Sequence, residues 1–154
     1  MIARMFAATY VAIHPGSGSA AKNWPADQYA SLVDRLHAEY GLASVVLGGP
    51  ADAEALVVLH DRPGQPPAAE LVERPLLVVA ALLGRAAAFL GNDSGLSHLA
   101  GLLGVPTLAL FGPSDPTVWA PLGPRVRVLR SASLPGLPVE TVLSELTSLL
   151  DAPG

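Results

Sequence analysis

Apolar and polar residues alternate in blocks along the chain, a rhythm typical of short buried strands joined by longer helices. Runs of aliphatic and β-branched residues predict strands at 10–14, 43–48, 86–91, 106–112 and 125–129. Between them, apolar residues recur every three or four positions and predict helices at 26–40, 50–60, 75–84, 94–104 and 138–150. Residues 68–74 match neither pattern and stay unassigned.

Strands that are apolar along their whole length, each followed by a helix, predict a parallel sheet covered by helices on both faces. The crossovers between such strands are expected to be right-handed. Since neither a linker nor a sequence repeat interrupts the pattern, we expect one α/β domain spanning residues 1–154.

Polar clusters follow the ends of four predicted strands. They are PGSGS after the first strand, GGPAD after the second, GNDSG after the 86–91 strand and GPSDP after the 106–112 strand. The carboxyl ends of parallel strands lie along one edge of a sheet, where open α/β sheets bind their ligands. The pattern therefore predicts a ligand site built from these loops.

The composition narrows the classes of function. The chain has 154 residues, 14% of them charged, and a net charge of −4 without any cluster of Lys or Arg, which argues against nucleic-acid binding. Without cysteine it has no disulfide, thiol nucleophile or Cys-ligated zinc. The four histidines show no metal-ligand spacing, so a metal site is not expected.

The distribution of apolar residues bears on location and association. No apolar run approaches the roughly 18 residues that span a bilayer. The start of the chain runs directly into a predicted strand, so a signal peptide is the weaker interpretation and we expect a cytoplasmic protein. A mean hydropathy of +0.44 indicates a surface that a second copy of the chain or a partner chain covers.

Lys22 is the only lysine in the chain, and it lies in a loop rich in glycine and serine. Gly16 and Gly18 allow backbone N–H groups to approach an anion closely. The hydroxyls of Ser17 and Ser19 add hydrogen-bond donors, and Lys22 adds a mobile positive charge suited to a diphosphate. The loop therefore predicts a phosphate site, against the alternative of an exposed turn with an incidental lysine.

Three familiar motifs come close to these loops but fit poorly. Residues 16–21 match a dinucleotide fingerprint, yet Trp24 and Pro25 delay the following helix and no acidic residue ends the second strand. A Walker A loop fails at Ala21 and Asn23, and GNDSG is out of register with the GxSxG of serine hydrolases. An NAD-dependent enzyme stays open as the weakest alternative.

Asp93 and Ser94 stand at the start of a predicted helix, in the sequence NDSGLSH. One interpretation is that they cap the helix. The other is that free N–H groups and the positive end of the helix dipole hold a phosphate there. His98 follows one turn after Ser94 on the same helix face, where it either points to the site or has a structural role.

Asp52 and Trp119 each allow two interpretations. Asp52 either accepts hydrogen bonds from ribose hydroxyls or simply lies in the first turn of its helix. Trp119 belongs to a Pro-rich loop at the same predicted edge, and packing is favoured for it over stacking on a ligand.

Together these stretches resemble glycosyltransferase family 9, the heptosyltransferases of bacterial lipopolysaccharide core synthesis. The matching stretches follow the family's order and spacing over residues 10–130, and they are HPGSGSAAKNWP, the turn from Gly48 to Asp52, GNDSGLSHLAGLLGVPTLALFGPSDP and WAPLGP. The resemblance implies a Rossmann-like sheet with helices on both faces, the C-terminal domain of a GT-B glycosyltransferase. Such a domain binds ADP-heptose as the sugar donor.

The resemblance also implies roles for residues of the first loop. The positions of Ser17, Gly18 and Lys22 hold the diphosphate in that family, and Lys22 would stabilise the charge on the departing diphosphate. Adenine would be met by the backbone around 72–75.

Further donor contacts are implied for the later loops. Asp52 matches the acidic residue that meets the ribose. The turn formed by Asp93, Ser94 and Gly95, together with His98, would face the phosphate and the sugar.

The family pattern includes an N-terminal domain that binds the acceptor and supplies a carboxylate general base. That domain and its base are expected to lie outside this chain, whose first predicted strand begins at residue 10. We therefore expect the isolated chain to bind the donor without transferring it, unless a separate acceptor-domain chain completes the site. A homodimer or a partner chain would cover part of the surface that faces the acceptor domain in that family. The alternative is a stand-alone, non-catalytic nucleotide-sugar binding module. No cofactor is expected besides the nucleotide-sugar substrate, and the acceptor would bring the protein to the periphery of the inner membrane.

Overall fold

A parallel sheet forms the centre of the protein in a computed structural model that describes residues 9–151. Its strands are β1 (Tyr10–His14), β2 (Ala43–Gly48), β3 (Ala69–Val72), β4 (Ala88–Asn92), β5 (Thr107–Phe111) and β6 (Val126–Arg130). They are ordered β3-β2-β1-β4-β5-β6, and every neighbouring pair is parallel. This confirms the predicted α/β fold, with the strand order of Rossmann-type domains.

Helices cover both faces of the sheet, as the sequence predicts. They are α1 (Ala26–Tyr40), α2 (Ala53–Asp61), α3 (Leu76–Arg85), α4 (Gly95–Leu102), α5 (Pro116–Trp119) and α6 (Val139–Asp151). Short 3₁₀ turns at Ala20–Lys22 and Pro50–Asp52 precede α1 and α2. None of the helices within residues 9–151 combines the length and apolar character needed to cross a membrane.

Two elements were not predicted from the sequence. The unassigned segment contains β3, an edge strand of four residues in which only Ala69 and Leu71 are buried, too short to show a period. The Pro-rich loop after β5 contains α5, a single helical turn. Asp115 caps its start, and the Asp115 carboxylate accepts the Thr117 N–H at 3.0 Å.

Successive strand residues point to opposite faces, so the three central strands β1, β2 and β4 each contribute to two apolar cores. In β1, Val11 and Ile13 pack with α1, α2 and α6 on one face. Tyr10 and Ala12 pack with α3 and α4 on the other face. This two-sided burial explains why the strands are apolar throughout.

The order of strands reverses between β1 and β4. β1 pairs with β2 on one side and with β4 on the other, where His14 lies opposite Gly91. The loops that leave β1 and β4 therefore diverge and open a crevice at the carboxyl edge of the sheet. In open α/β sheets, this is the place where ligands bind.

Candidate functional site

Two segments face each other across the crevice between β1 and β4. The β1 loop is residues 15–23, and the α4 turn is residues 93–95 at the start of α4. Both follow strands in which every residue is buried, so the sheet fixes the points from which they leave.

The β1 loop presents backbone N–H groups that the rest of the described chain leaves unbonded. These are the N–H groups of Gly16, Ser17 and Gly18. The Ser17 hydroxyl donates to the Ser19 carbonyl at 2.6 Å and accepts the Ser19 N–H at 3.1 Å, so this side chain holds the shape of the loop. The Cα of Gly18 faces open space. Successive free N–H groups of this kind form a concave site for an anion.

Lys22 reaches from the end of the β1 loop across the crevice. Its Nζ lies 3.4 Å from Oδ2 of Asp93, which confirms that the fold brings these two predicted residues together. Asp93 is buried and Lys22 is partly exposed. Within residues 9–151, Asp93 Oδ2 accepts no hydrogen bond, so the pair is a loose ionic contact. A ligand anion can therefore recruit the ammonium.

The α4 turn leaves the start of its helix without a side-chain cap. Ser94 occupies the N-cap position with an extended backbone, but its hydroxyl makes no capping bond. Instead, the hydroxyl lies 3.4 Å from Nδ1 of His14 and 3.5 Å from Oγ of Ser97. The capping interpretation is therefore wrong for Ser94. The first N–H groups of α4, beginning at the exposed Gly95, stay available to a ligand together with the helix dipole.

His14 links the crevice to the turn after β2. Its Nε2 lies 3.0 Å from Oδ2 of Asp52, and the same oxygen accepts the Gly49 N–H at 2.8 Å. Asp52 is buried, and a Cβ added to Gly16 would lie 1.7 Å from Asp52 Oδ1. Only glycine fits at position 16, because any side chain there would overlap this carboxylate. Asp52 thus packs beneath the β1 loop as well as starting its helix.

Two cavities meet at His14, Leu76 and Leu96. The first, of about 540 Å³, lies between the β1 loop and the α4 turn, and its other lining residues are Ser17, Gly18, Ser94, Gly95 and Leu99. The second, of about 340 Å³, extends toward the ends of β2 and β3, and its other lining residues are Leu47, Gly48, Gly49, Pro50, Asp52, Leu71, Glu73, Arg74 and Val79. The shared walls make them one elongated space, with glycine N–H groups and serine hydroxyls at one end and mostly aliphatic side chains at the other. A further cleft of about 560 Å³ lies on the far side of the β1 loop, against α1 and α2.

The backbone turns sharply at the wall of the second cavity. Glu73 has a φ of 52°, in the left-handed region that non-glycine residues seldom occupy, and its N–H donates to the Gly48 carbonyl at 2.9 Å. Such conformations cluster at ligand sites. This is the segment after β3 for which the sequence pattern indicated no element.

Asn92 organises the base of the crevice, and the sequence analysis did not single it out. The side chain is fully buried at the end of β4. Its Oδ1 accepts the Trp24 N–H at 3.0 Å and the Tyr29 hydroxyl at 2.9 Å, while its Nδ2 donates to the carbonyls of Pro15 at 3.0 Å and Gly16 at 3.2 Å. Burial raises the pKa of Tyr29 despite the opposing effect of this hydrogen bond, so the phenol stays a donor. The sequence did hold one sign of this role, because Asn92 is a polar residue at the end of an otherwise apolar strand.

Four of the sequence candidates do not line these cavities: Lys22 and Asp93, whose ion pair lies beside them, and His98 and Trp119. His98 lies partly buried in the first turn of α4, and its N–H donates to the Ser94 carbonyl at 3.4 Å. Trp119 is 57% exposed on α5, so the packing favoured from the sequence is wrong for its indole. In the described part of the chain, no group of three or more acidic or histidine side chains is arranged to hold a metal ion.

Comparisons with known proteins agree with this geometry. The family model described as glycosyltransferase family 9 (heptosyltransferase) matches residues 3–145. The chain is 33% identical over 155 aligned positions to lipopolysaccharide heptosyltransferase 2 of Salmonella typhimurium, covering 87% of this chain and 44% of that protein. The structure of the ADP-heptose heptosyltransferase II of E. coli superposes with a TM-score of 0.85 at 33% identity, covering 93% of this chain and 46% of the other.

A second solved structure is the E. coli heptosyltransferase WaaC with ADP. It superposes with a TM-score of 0.81 at 26% identity, covering 93% of this chain and 45% of that one. In each of these comparisons, the chain spans less than half the length of the relative that it matches.

Proposed function

This chain belongs to glycosyltransferase family 9, the heptosyltransferase family, and we propose that its described residues bind the nucleotide-sugar donor of a glycosyl transfer. The observation that carries the proposal is that free N–H groups and an uncapped helix start line a single cavity, while the ammonium of Lys22 lies beside the same α4 turn, 3.4 Å from Asp93. These are the groups with which proteins bind a diphosphate.

The diphosphate would occupy the 540 Å³ cavity between the β1 loop and the α4 turn. The N–H groups of Ser17 and Gly18 would donate to it from one side and that of Gly95 from the other. The Ser94 hydroxyl, which caps nothing, would add a further hydrogen bond. This placement uses donors from both walls of the crevice.

Lys22 would exchange its present partner for the diphosphate. Its contact with Asp93 is loose, and a diphosphate carries more negative charge than one carboxylate. Asp93 would then be free to accept hydrogen bonds from hydroxyls of the donor sugar. The ion pair would keep both side chains in place until the donor arrives.

The nucleoside would occupy the 340 Å³ cavity. Asp52 lines it, and His14 and Gly49 hold its carboxylate in place through Oδ2, so we assign this carboxylate to a ribose hydroxyl. The base would pack on the aliphatic side chains of Leu71 and Leu76, beside the backbone turn at Glu73. Adenine is proposed because solved relatives include complexes with ADP and an ADP-sugar.

The reaction proposed for the whole protein is inverting transfer of a heptose from ADP to a saccharide of the lipopolysaccharide-core type, by analogy with the relatives' names. The acceptor oxygen bonds to the anomeric carbon, the bond from that carbon to the diphosphate breaks, and ADP leaves with the electron pair. Lys22 and the N–H groups would stabilise the charge that builds on ADP. The acceptor's proton would pass to a general base that we assign to none of the described residues, and the scheme requires no cofactor.

The acceptor side of the site is proposed to come from the part of the protein that corresponds to the rest of the relatives' length, or from a second chain. Exposed apolar residues at the mouth of the two cavities support this. Leu76 is 66% exposed and Leu77 is 85% exposed at the start of α3. Aliphatic side chains in that position suit a surface that another domain covers.

A thermal-shift and calorimetry panel of ADP, UDP, GDP, NAD and ADP-heptose tests the proposal. ADP and ADP-heptose should raise Tm the most, with a stabilisation of about 2.7 kcal/mol at a ligand concentration of 100 times Kd. NAD, which the dinucleotide alternative requires, should bind more weakly than ADP. A preference for NAD, or no shift with any nucleotide diphosphate, would overturn the proposal.

A further inference from the structure

We propose that Asn92 is a positioning residue for the diphosphate, because its buried carboxamide fixes the direction in which the N–H groups of Gly16 and Ser17 point. This inference rests on the proposed function and names the residue that prepares the site. Asn92 itself is fully buried, so it would act through the β1 loop and not by touching the ligand.

One end of the carboxamide is held by two donors. The Trp24 N–H and the Tyr29 hydroxyl both point to Oδ1, at 3.0 and 2.9 Å. Tyr29 and Trp24 are fully buried, and their rings meet edge to face at 4.8 Å. Donors on this side leave only one orientation of the amide in which all partners are satisfied. The Nδ2 group must therefore face the β1 loop.

The other end of the carboxamide binds the loop through its carbonyls. Nδ2 donates to the Pro15 oxygen at 3.0 Å and to the Gly16 oxygen at 3.2 Å. In a planar trans peptide the C=O and the following N–H point in opposite directions. The N–H groups of Gly16 and Ser17 therefore point away from Asn92, and within residues 9–151 they donate to no other group. This is the arrangement that an incoming anion needs.

Asn92 also connects the loop to the other wall of the crevice. Its backbone carbonyl accepts the hydroxyl of Ser97, in the first turn of α4, at 2.6 Å. One residue thus contacts both the β1 loop and the helix whose start would bind the same diphosphate. Donors that already point toward the anion bind it more tightly, because no free energy is spent on ordering them when the anion binds.

The Asn92→Asp variant tests the two ends of the side chain separately, because it keeps the acceptor and removes the donor. The carboxylate still accepts from Trp24 and Tyr29, but it no longer donates to the loop and instead faces the carbonyls of Pro15 and Gly16 with a negative charge. Tyr29→Phe is the matched control, because it removes a buried hydrogen bond to Oδ1 and leaves the loop carbonyls bonded. Asn92→Ser, which is uncharged, serves as a second variant if the aspartate prevents folding.

The first measurement compares the affinities for ADP and adenosine by calorimetry. We expect Asn92→Asp and Asn92→Ser to lower the ratio of ADP to adenosine affinity by about tenfold or more, the effect of losing one aligned hydrogen bond to a charged group. Tyr29→Phe should change this ratio by less than about threefold. Equal losses for ADP and adenosine, or equal ratios in all variants, would show a purely structural role and overturn the inference.

The second measurement is hydrogen exchange of the β1 loop in the ligand-free protein. The amides of Gly16 and Ser17 should change their exchange in the Asn92 variants, while Tyr29→Phe leaves them close to wild type. Unchanged exchange in the Asn92 variants would contradict the inference. If the wild-type protein bound ADP no better than adenosine, the proposed function would fail, and the exchange data would still decide whether Asn92 sets the loop.

Discussion

The loops that follow β1 and β5 are similar in sequence and differ in structure. Both leave fully buried strands at the same edge of the sheet, and both contain Gly, Pro and Ser. A tryptophan directly follows the β1 loop, and another lies within the β5 loop. Trp24, directly after the β1 loop, is fully buried, and its Nε1 donates to the Leu137 carbonyl at 3.0 Å. Trp119, in the β5 loop (residues 112–125), is 57% exposed. Composition alone therefore does not determine which loop is fixed.

The difference lies in the origin of the polar contacts. The β1 loop is held by Asn92, a buried residue distant in sequence. The turn of α5 is held locally, by the Asp115 carboxylate, which accepts from the N–H and hydroxyl of Thr117 at 3.0 and 2.8 Å. These bonds hold the pKa of Asp115 below its usual range. A distant buried anchor sets the loop relative to the sheet, whereas a local one sets only the turn.

The largest expected effect contrasts the two tryptophans. Trp24→Ala should lower the free energy of unfolding by about 3–5 kcal/mol, since it leaves a large cavity and an unpaired Leu137 carbonyl. Trp119→Ala should stay within about 0.5 kcal/mol, because surface truncations seldom cost more. Urea unfolding followed by circular dichroism measures both. Similar losses for the two variants would remove the distinction between the loops.

Within the β1 loop, the two glycines at positions 16 and 18 are expected to differ in how they tolerate a side chain. Gly16→Ala should destabilise the protein by about 1–3 kcal/mol and weaken ADP binding, because the new Cβ would lie 1.7 Å from Asp52 Oδ1. Gly18→Ala is the control, since its Cβ would meet nothing within 4 Å. Thermal unfolding and calorimetry of the two variants give the comparison. Full stability in Gly16→Ala would contradict the close packing of Asp52 beneath the loop.

The sequence was sufficient for most elements and for part of the site. Continuous apolar runs gave the strands that lie within the sheet, because two-sided burial leaves a strong signal. Because the carboxyl ends of parallel strands lie along one edge of the sheet, the sequence also predicted that Lys22, Asp93 and Ser94 lie at one crevice. β3 was missed, because a four-residue edge strand buries too few side chains to show a pattern. Asn92 was missed because its bonds to Pro15 and Gly16 span more than seventy residues.

A smaller effect on stability is expected at the start of α4, which lacks the side-chain cap that Asp115 gives α5. Ser94 makes no capping bond, so Ser94→Ala should change the free energy of unfolding by less than about 0.5 kcal/mol. Its ADP affinity should still fall about threefold to tenfold, the range for one net hydrogen bond of about 0.5–1.5 kcal/mol. Chemical unfolding and calorimetry on the same preparation separate the two effects. A loss of stability without a loss of affinity would restore the capping interpretation.

The smallest effect concerns the exposed side of the β5 loop. Val118, Trp119 and Leu122 are each more than half exposed, and the Leu122 carbonyl lies against Gly101 of α4. We expect weak self-association through these residues, seen as a rise in mass with concentration in light scattering. Trp119→Ser combined with Leu122→Ser should reduce it. Identical scattering curves for wild type and double variant would assign association to another surface or rule it out.

The most direct test of the donor-site proposal is a titration of Lys22→Ala with ADP and with adenosine. Lys22 is the chain's only lysine and stands at the crevice where the diphosphate is proposed. The variant should lose about 1.5–3 kcal/mol of ADP binding, roughly tenfold to 150-fold in Kd, with adenosine binding nearly unchanged. Arg35→Ala removes the same charge from a surface ion pair with Glu39 and Glu140, and should leave both affinities at wild-type values. Equal losses for ADP and adenosine in Lys22→Ala, or wild-type ADP affinity, would contradict the phosphate site.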